Sequence, residues 1–409
     1  MYNFMAAFII CGAVVLIGEI VAKLTKAWVP SVFVSAVVLL LGYWTVIPKE
    51  LVTEAHLMPF GNTLAMMLII THMGTMISLE TLLAQWRTVV LCVLGLAGMC
   101  GLAYFVCPFF MERELIIAGL PPLTGGIVAA TMMQTAAQEA GLTTAAVFAI
   151  SMYCIQGFAG YPLTAIVLKK EGALLLEKYR SGKAHAGTGP MVDVTKLPDE
   201  QTHGILHLPE SWNSPVVMLM KLGIVTWLAM LLGGWTGISG AIWCLVLGVV
   251  FCRLGFLEPN ILTKANSYQI MLFALMMFIF DGLKACTPEM LVSIIVPMFV
   301  LIIIGLIGMF IVAYFVARAL KISIWLGFGN CLTALYGFPF NAIITESMCK
   351  EMAANEEERE YLMAHMFPSM IVGGFSTVTI TSVLIAGLFV NLFWLPLFSG
   401  RTPPFVPRF

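Results

Sequence analysis

Two polar stretches interrupt an otherwise apolar chain, and both carry groups suited to binding a small ion or an organic anion. The first runs from Gly119 to Gly141 and holds Thr124, Gly125, Gly126, Thr131 and Gln134. The second runs from Gly327 to Asn341, with Asn330, Thr333, Gly337 and Asn341, and Thr345 follows. Glycine lets backbone approach a ligand closely. The N-terminus of a half-helix offers free N–H groups and a positive dipole end, which suits a carboxylate. Uncharged Thr, Asn and carbonyl oxygens suit a hard cation such as sodium. The reading places the anionic substrate at Thr124, Gly125, Gly126, Thr131, Gln134, Asn330, Thr333, Gly337 and Asn341. It places the ion at Asn341, Thr345 and three residues of Pro368–Ser382, namely Ser369, Ser376 and Thr377. That last segment has six hydroxyls, a glycine pair and no charge. The plain alternatives are kinked, packed helices for the first two stretches and close helix packing for the third.

Other chemistry-bearing groups read more simply as structure. Glu19 and Lys23, four apart, form a helical pair, and Asp281 with Lys284 forms another near a span end. An acid within a membrane can also hold a proton or ion, so Asp281 stays a minor candidate. His72 and His365 sit alone among apolar residues. The ten cysteines are scattered without a C-x-x-C spacing, which speaks against zinc or a redox pair. No metalloprotease, serine-hydrolase or phosphate-loop motif occurs, so neither an enzyme nor direct drive by ATP is expected.

The elements that position these groups are membrane helices. Of 409 residues, 60% are hydrophobic and 11% charged, with mean hydropathy +0.97. A soluble domain carries about 25% charged residues. No basic run points to nucleic acid. With about 20 apolar residues per span, the chain divides into an N-terminal membrane repeat (1–168), a polar linker (169–213), a C-terminal repeat (214–395) and a tail (396–409). Spans are expected near 4–22, 28–46, 62–79, 87–109 and 148–168, then 214–234, 238–254, 268–285, 289–317 and 363–391. Residues 119–144 and 321–348 are left over as re-entrant hairpins or broken helices. Backbone of that kind must be packed in protein or line a polar cavity.

Charge placement orients the chain. With both hairpins returning to their own side and the linker cytoplasmic, 16 Lys and Arg lie inside and 5 outside. That is the bias of the positive-inside rule, and it puts both termini in the periplasm of a bacterial inner-membrane protein. Gly95-Leu-Ala-Gly-Met99 recurs as Gly305-Leu-Ile-Gly-Met309. Five spans and a hairpin per half, with an internal linker, make an inverted repeat, the architecture of alternating access and of a binding site at the repeat interface.

Four segments resemble the bacterial sodium/glutamate symporters. They are Leu123-Thr-Gly-Gly126 with Glu139-Ala-Gly-Leu-Thr143, Gly157-Phe-Ala-Gly-Tyr-Pro162 with Lys169-Lys170, Gly329-Asn-Cys331 with Gly337-Phe-Pro339 and Asn341-Ala-Ile343, and Pro368-Ser-Met-Ile-Val-Gly-Gly-Phe375. The resemblance implies two inverted five-helix repeats with re-entrant hairpins, and sodium-coupled uptake of an acidic amino acid. Ile127-Val-Ala129 departs from the small polar stretch of that family where substrate should bind. The expectation is therefore an all-α secondary transporter coupling sodium to a small carboxylate, glutamate or a related anion, with lipid around it and no cofactor. A homodimer would give a moving hairpin unit a fixed partner. The competing readings are a proton-coupled carrier or exporter of another solute, a channel, and a non-transporting scaffold or sensor.

Overall fold

A computed structural model describes residues 3–25, 29–76, 83–181, 213–236, 240–337 and 340–394. All regular structure among them is helical, and eight helices are long and apolar enough to cross a membrane. The chain is a polytopic membrane protein.

The first half runs α1 (Phe4–Leu24), α2 (Ser31–Thr45), α3 (Leu51–Glu54), α4 (Leu57–Thr75), α5 (Trp86–Val106), α6 (Arg113–Leu123), α7 (Ile127–Glu139) and α8 (Thr143–Arg180). The second repeats that order as α9 (Pro215–Thr236), α10 (Gly240–Arg253), α11 (Ile261–Lys264), α12 (Tyr268–Ala285), α13 (Pro288–Leu320), α14 (Ile324–Leu332), α15 (Phe340–Met352) and α16 (Glu356–Phe393). Even the four-residue helices correspond. Leu51-Val-Thr-Glu-Ala-His56 and Ile261-Leu-Thr-Lys-Ala-Asn266 each end in a residue with positive φ, 56° at His56 and 52° at Asn266.

Local chemistry sets the ends of several helices. Thr287 caps α13 by accepting a bond from Met290 N–H (3.2 Å), and Pro288 follows at the first helical position, where its missing N–H costs nothing. Asn355 caps α16 by accepting from Glu358 N–H (2.8 Å), with Glu356, Glu357 and Glu358 at the positive dipole end. Pro30 stands in extended geometry before α2, and Pro48 lies soon after its end. These prolines hold α2 to 15 residues; its counterpart α10 has 14 among the described residues, and both are shorter than the spans expected over 28–46 and 238–254.

The halves meet through α5 and α13. A β-carbon placed on Gly98 would lie 2.8 Å from the Gly308 carbonyl oxygen, and one on Gly308 2.5 Å from that of Gly98. Gly95 faces Met309 and Gly305 faces Met99. Such reciprocal pairing is what a two-fold axis between equivalent surfaces requires. The recurring Gly-Leu-x-Gly-Met motif is therefore the axis of the inverted repeat.

Both hairpins are re-entrant. At 11 and 13 residues, α6 and α7 are about 16 and 20 Å long, too short to cross a core of about 30 Å. Both legs pack on the start of α8 (143–155) and the end of α16 (382–390). The legs of the second hairpin, α14 and α15, both pack on the other half of α8 (157–180) and the start of α16 (356–375). A chain that crossed straight through would put its two legs on opposite halves. The long helices α8 and α16 run antiparallel, so the hairpins enter from opposite faces.

Further boundaries differ from the sequence reading. Helix α6 starts at Arg113, ahead of the expected 119, and α8 already begins at Thr143. Helix α8 also continues past 168 to Arg180. The reason is an apolar stripe, in which Leu168, Leu175 and Leu176 form a small satellite core with Cys349, Tyr361, Leu362 and Met366. The rest of the linker (182–212), the tail from 395 on, the Phe338-Pro339 part of the family-like motif and the Lys23 side chain lie outside the described residues.

Candidate ion and substrate site between the hairpin tips

The chain breaks between α6 and α7 at Thr124-Gly125-Gly126, where φ is +118° at Gly125 and +86° at Gly126. A residue with a β-carbon rarely adopts these angles. The second break falls at Tyr336-Gly337. The two tips touch: a β-carbon on Gly125 would lie 2.6 Å from the Ala334 carbonyl oxygen. Between them sits Val378, within a π-helical turn of α16 (Ser376–Thr381). β-Carbons on Gly126 and Gly337 would lie 3.0 and 3.1 Å from Val378 atoms. Turns of this type leave the regular bonding ladder and occur often at functional sites.

The glycine-rich part of α8 receives the second tip. Gly160 leaves room for Leu335 and Tyr336, whose ring stacks on Tyr161 at 4.9 Å between centroids. The Tyr336 hydroxyl donates to Thr164 Oγ1 at 3.0 Å.

The glycine pair of α16 plays the same part toward two asparagines. Asn330 packs on Gly373 and the Asn341 amide on Gly374. The Asn341 Nδ2 donates to the Met370 carbonyl at 2.8 Å, and its Oδ1 accepts from Ala342 N–H at 2.9 Å. Asn330 is fully buried, yet neither its Oδ1 nor its Nδ2 has a partner. A buried amide without partners costs a few kcal/mol, of order 1–3 per group. Thr333 Oγ1 lies 3.4 Å from Thr377 Oγ1, which joins the second hairpin to the π turn.

The hydroxyls are turned in a consistent way. Thr124 donates to Pro121, Thr131 to Ile127, Thr345 to Asn341, Ser369 to Met366, Ser376 to Gly373 and Thr377 to Gly373, each to a carbonyl of its own segment. Their protons are committed, and what remains is oxygen lone pairs. That suits a cation and gives an anion nothing. For an anion the site offers the Asn330 Nδ2 and the start of α7, which has no side-chain cap and begins at Gly126 with Val128 and Ala129 fully buried.

The structure thus brings Gly125, Gly126, Asn330, Thr333, Gly337, Asn341 and Thr377 to one centre. It sets Gln134 apart, with its amide against Gly282 of α12. Glu139 and Glu346 are exposed toward the bases of their hairpins. His72 is a packing group whose Nδ1 accepts from Leu262 N–H (3.2 Å), which ties α4 to α11. Sequence reasoning missed Val378, Tyr161 and Tyr336. The Gly157–Pro162 cluster in α8 was the available signal for the two tyrosines, since glycines there had to admit something bulky.

No protein-family model matches the chain, and no curated protein matches it. Among solved structures, the sodium/proton antiporter MjNhaP1 from Methanocaldococcus jannaschii is similar over 96% of this chain and 98% of its own, at TM-score 0.44 and 14% identity. Identity this low carries no functional assignment. The resemblance to the sodium/glutamate symporters gains no support from these comparisons.

Proposed function

We propose that this chain is a secondary active transporter that couples sodium to the movement of a small carboxylate across the membrane. One observation carries the reading. Two broken hairpins, entering from opposite faces, meet at Val378, and a buried asparagine whose amide has no partner in the protein packs on Gly373 of the same helix. An amide can serve both ligands at once. Its Oδ1 would join the Thr333 and Thr377 oxygens around sodium, and its Nδ2 would meet the substrate carboxylate beside the start of α7. Inverted repeats that meet at such breaks are the arrangement from which alternating access arises.

The apolar sequence at the start of α7, Ile127-Val-Ala129, favours a carboxylate whose remainder is compact and weakly polar. In this reading the linker is cytoplasmic, as the placement of Lys and Arg favours. The test uses purified protein in proteoliposomes. Labelled amino acids and dicarboxylates are offered with an inward sodium gradient, with a proton gradient alone, and with neither. Uptake above the equilibrium level only with sodium is the expected result. Concentration driven by protons alone, at every solute that moves, would replace sodium in the scheme. Flux that only ever runs down the solute gradient would make the chain a channel.

A further inference from the structure

A second group of buried oxygens lacks partners, away from the hairpin tips. Asp281, near the end of α12, is 3% exposed; Lys284 Nζ binds its Oδ2 at 2.9 Å, and its Oδ1 is buried with no partner. Gln134, on the second leg of hairpin one, lays its amide against Gly282, the next residue along, and its buried Oε1 is also unpartnered. On the other flank, Trp44 Nε1 of α2 donates to the Cys286 carbonyl at 2.8 Å, which sets α2 against the end of α12, and the buried hydroxyl of the neighbouring Tyr43 bonds to nothing. Cys11 of α1 and Glu50 are further ionisable groups on this side of Asp281.

These atoms come from separate elements, α2, α7 and α12, and none bonds to another, although Tyr43 carries a proton to give. A buried oxygen without a donor is costly, and a carboxylate oxygen most of all. One added proton on Asp281 would serve a single neighbouring acceptor. A cation placed among them would serve all three oxygens together. Lys284 neutralises the carboxylate from the other side, and its side chain is 30% exposed, so its charge is partly solvated.

We infer that Asp281 Oδ1, Gln134 Oε1 and Tyr43 Oη form a second site for a small monovalent cation, sodium in the first instance, wedged between hairpin one and the α2–α12 pair. The site is distinct from the uncharged oxygens around Asn330. It goes beyond the transport reading and does not need it, because occupancy can be measured without transport. It also gives hairpin one its own ion: with Gln134 on α7, occupancy ties that leg to the rest of the protein.

The test is equilibrium binding of radioactive sodium to the purified full chain in detergent, at alkaline pH where protons do not compete. Asp281→Asn should remove one bound ion per chain, while Asn330→Ala removes a different one. Lys284→Gln, which takes away the resident ammonium, should tighten the Asp281 site several-fold; Tyr43→Phe should weaken it by about tenfold or less, the worth of one neutral ligand. An Asp281→Asn chain that elutes as wild type and binds as many ions overturns the inference. So does a Lys284→Gln variant whose sodium affinity is unchanged or lower, and this arm decides the matter if Asp281→Asn does not fold. A loss of bound sodium in Asn330→Ala alone, with Asp281→Asn unaffected, would leave the transport reading standing and this site refuted.

Discussion

Gly126 shows how much one position can demand. Its φ of +86° is open to glycine, and a β-carbon there would crowd the Val378 carbonyl at 3.0 Å. Gly126→Ala should cost about 1–3 kcal/mol of backbone strain, localised where the tips meet. Urea unfolding in detergent should show that loss, and uptake should fall further than stability does. A variant with normal uptake and unchanged unfolding would remove the tip from the site. At this scale the sequence was informative wherever chemistry is restrictive. Positive φ inside a membrane segment calls for glycine, so Gly125, Gly126 and Gly337 stood out. Asn330 and Asn341 looked alike in sequence; only packing shows that one amide is satisfied and the other is not. Lys221 is a further case. It is one of the 16 basic residues assigned to the cytoplasmic side, yet it is buried in an ion pair with Glu258, with Asn213 also donating to that carboxylate at 2.7 Å.

Among the elements, the α5–α13 pair and the extension of α8 make separate claims. Gly98 and Gly308 face each other across the repeat axis, so Gly98→Leu and Gly308→Leu should be equally harmful. Overpacking of this kind costs about 1–3 kcal/mol. Gly101 has nothing within 4 Å of its β-carbon position, and Gly101→Leu should be neutral in a thermal-shift assay that compares the three variants. Unequal effects at 98 and 308 would argue against a true axis there. Beyond the membrane, Arg180 grips Glu358 through two bonds of 2.7 Å, Lys169 meets Glu351 at 2.7 Å, and Lys170 lies 4.2 Å from the Trp325 ring centroid. The Glu171 carboxylate accepts from Ser323 at the start of α14. Together they fasten α8 to the base of hairpin two. Glu358→Ala should loosen that end and admit a membrane-impermeant maleimide to Cys349, which is fully buried in the satellite core beneath. Labelling no faster than wild type would show that the grip does not guard this end. The extension itself was hidden in sequence, because Lys169-Lys170 reads as the end of a span while the apolar spacing of Leu168, Leu175 and Leu176 is short and easily passed over.

The molecule as a whole is two copies of one eight-helix order, turned over and joined. Much of that was legible: apolar length gave the spans, glycine and proline marked the hairpins, and one five-residue motif marked the axis. The short echo at Leu51–His56 and Ile261–Asn266 was equally present but lies in a loop, where periodicity gives no cue. The π turn at Ser376–Thr381 was not legible at all, since its four hydroxyls among apolar residues look the same in an α-helix.

The paired short helices carry a consequence for the lipid. At 15 and 14 residues, α2 and α10 are about 22 and 21 Å long, against a hydrocarbon layer of about 30 Å. Tilting only worsens the shortfall. Both present side chains outward, including Leu41 and Trp44 on one and Val246 and Val250 on the other. Acyl chains must thin where these two helices face lipid, at a cost of fractions of a kcal/mol per ångström of mismatch. Reconstituted into vesicles of graded chain length, the protein should be most heat-stable in the shorter lipids and lose stability as the chains lengthen. A flat response would mean that other parts of the chain cover these helices. With the expected slope, membrane thickness becomes a variable that this protein senses at α2 and α10, the first of which also flanks Asp281.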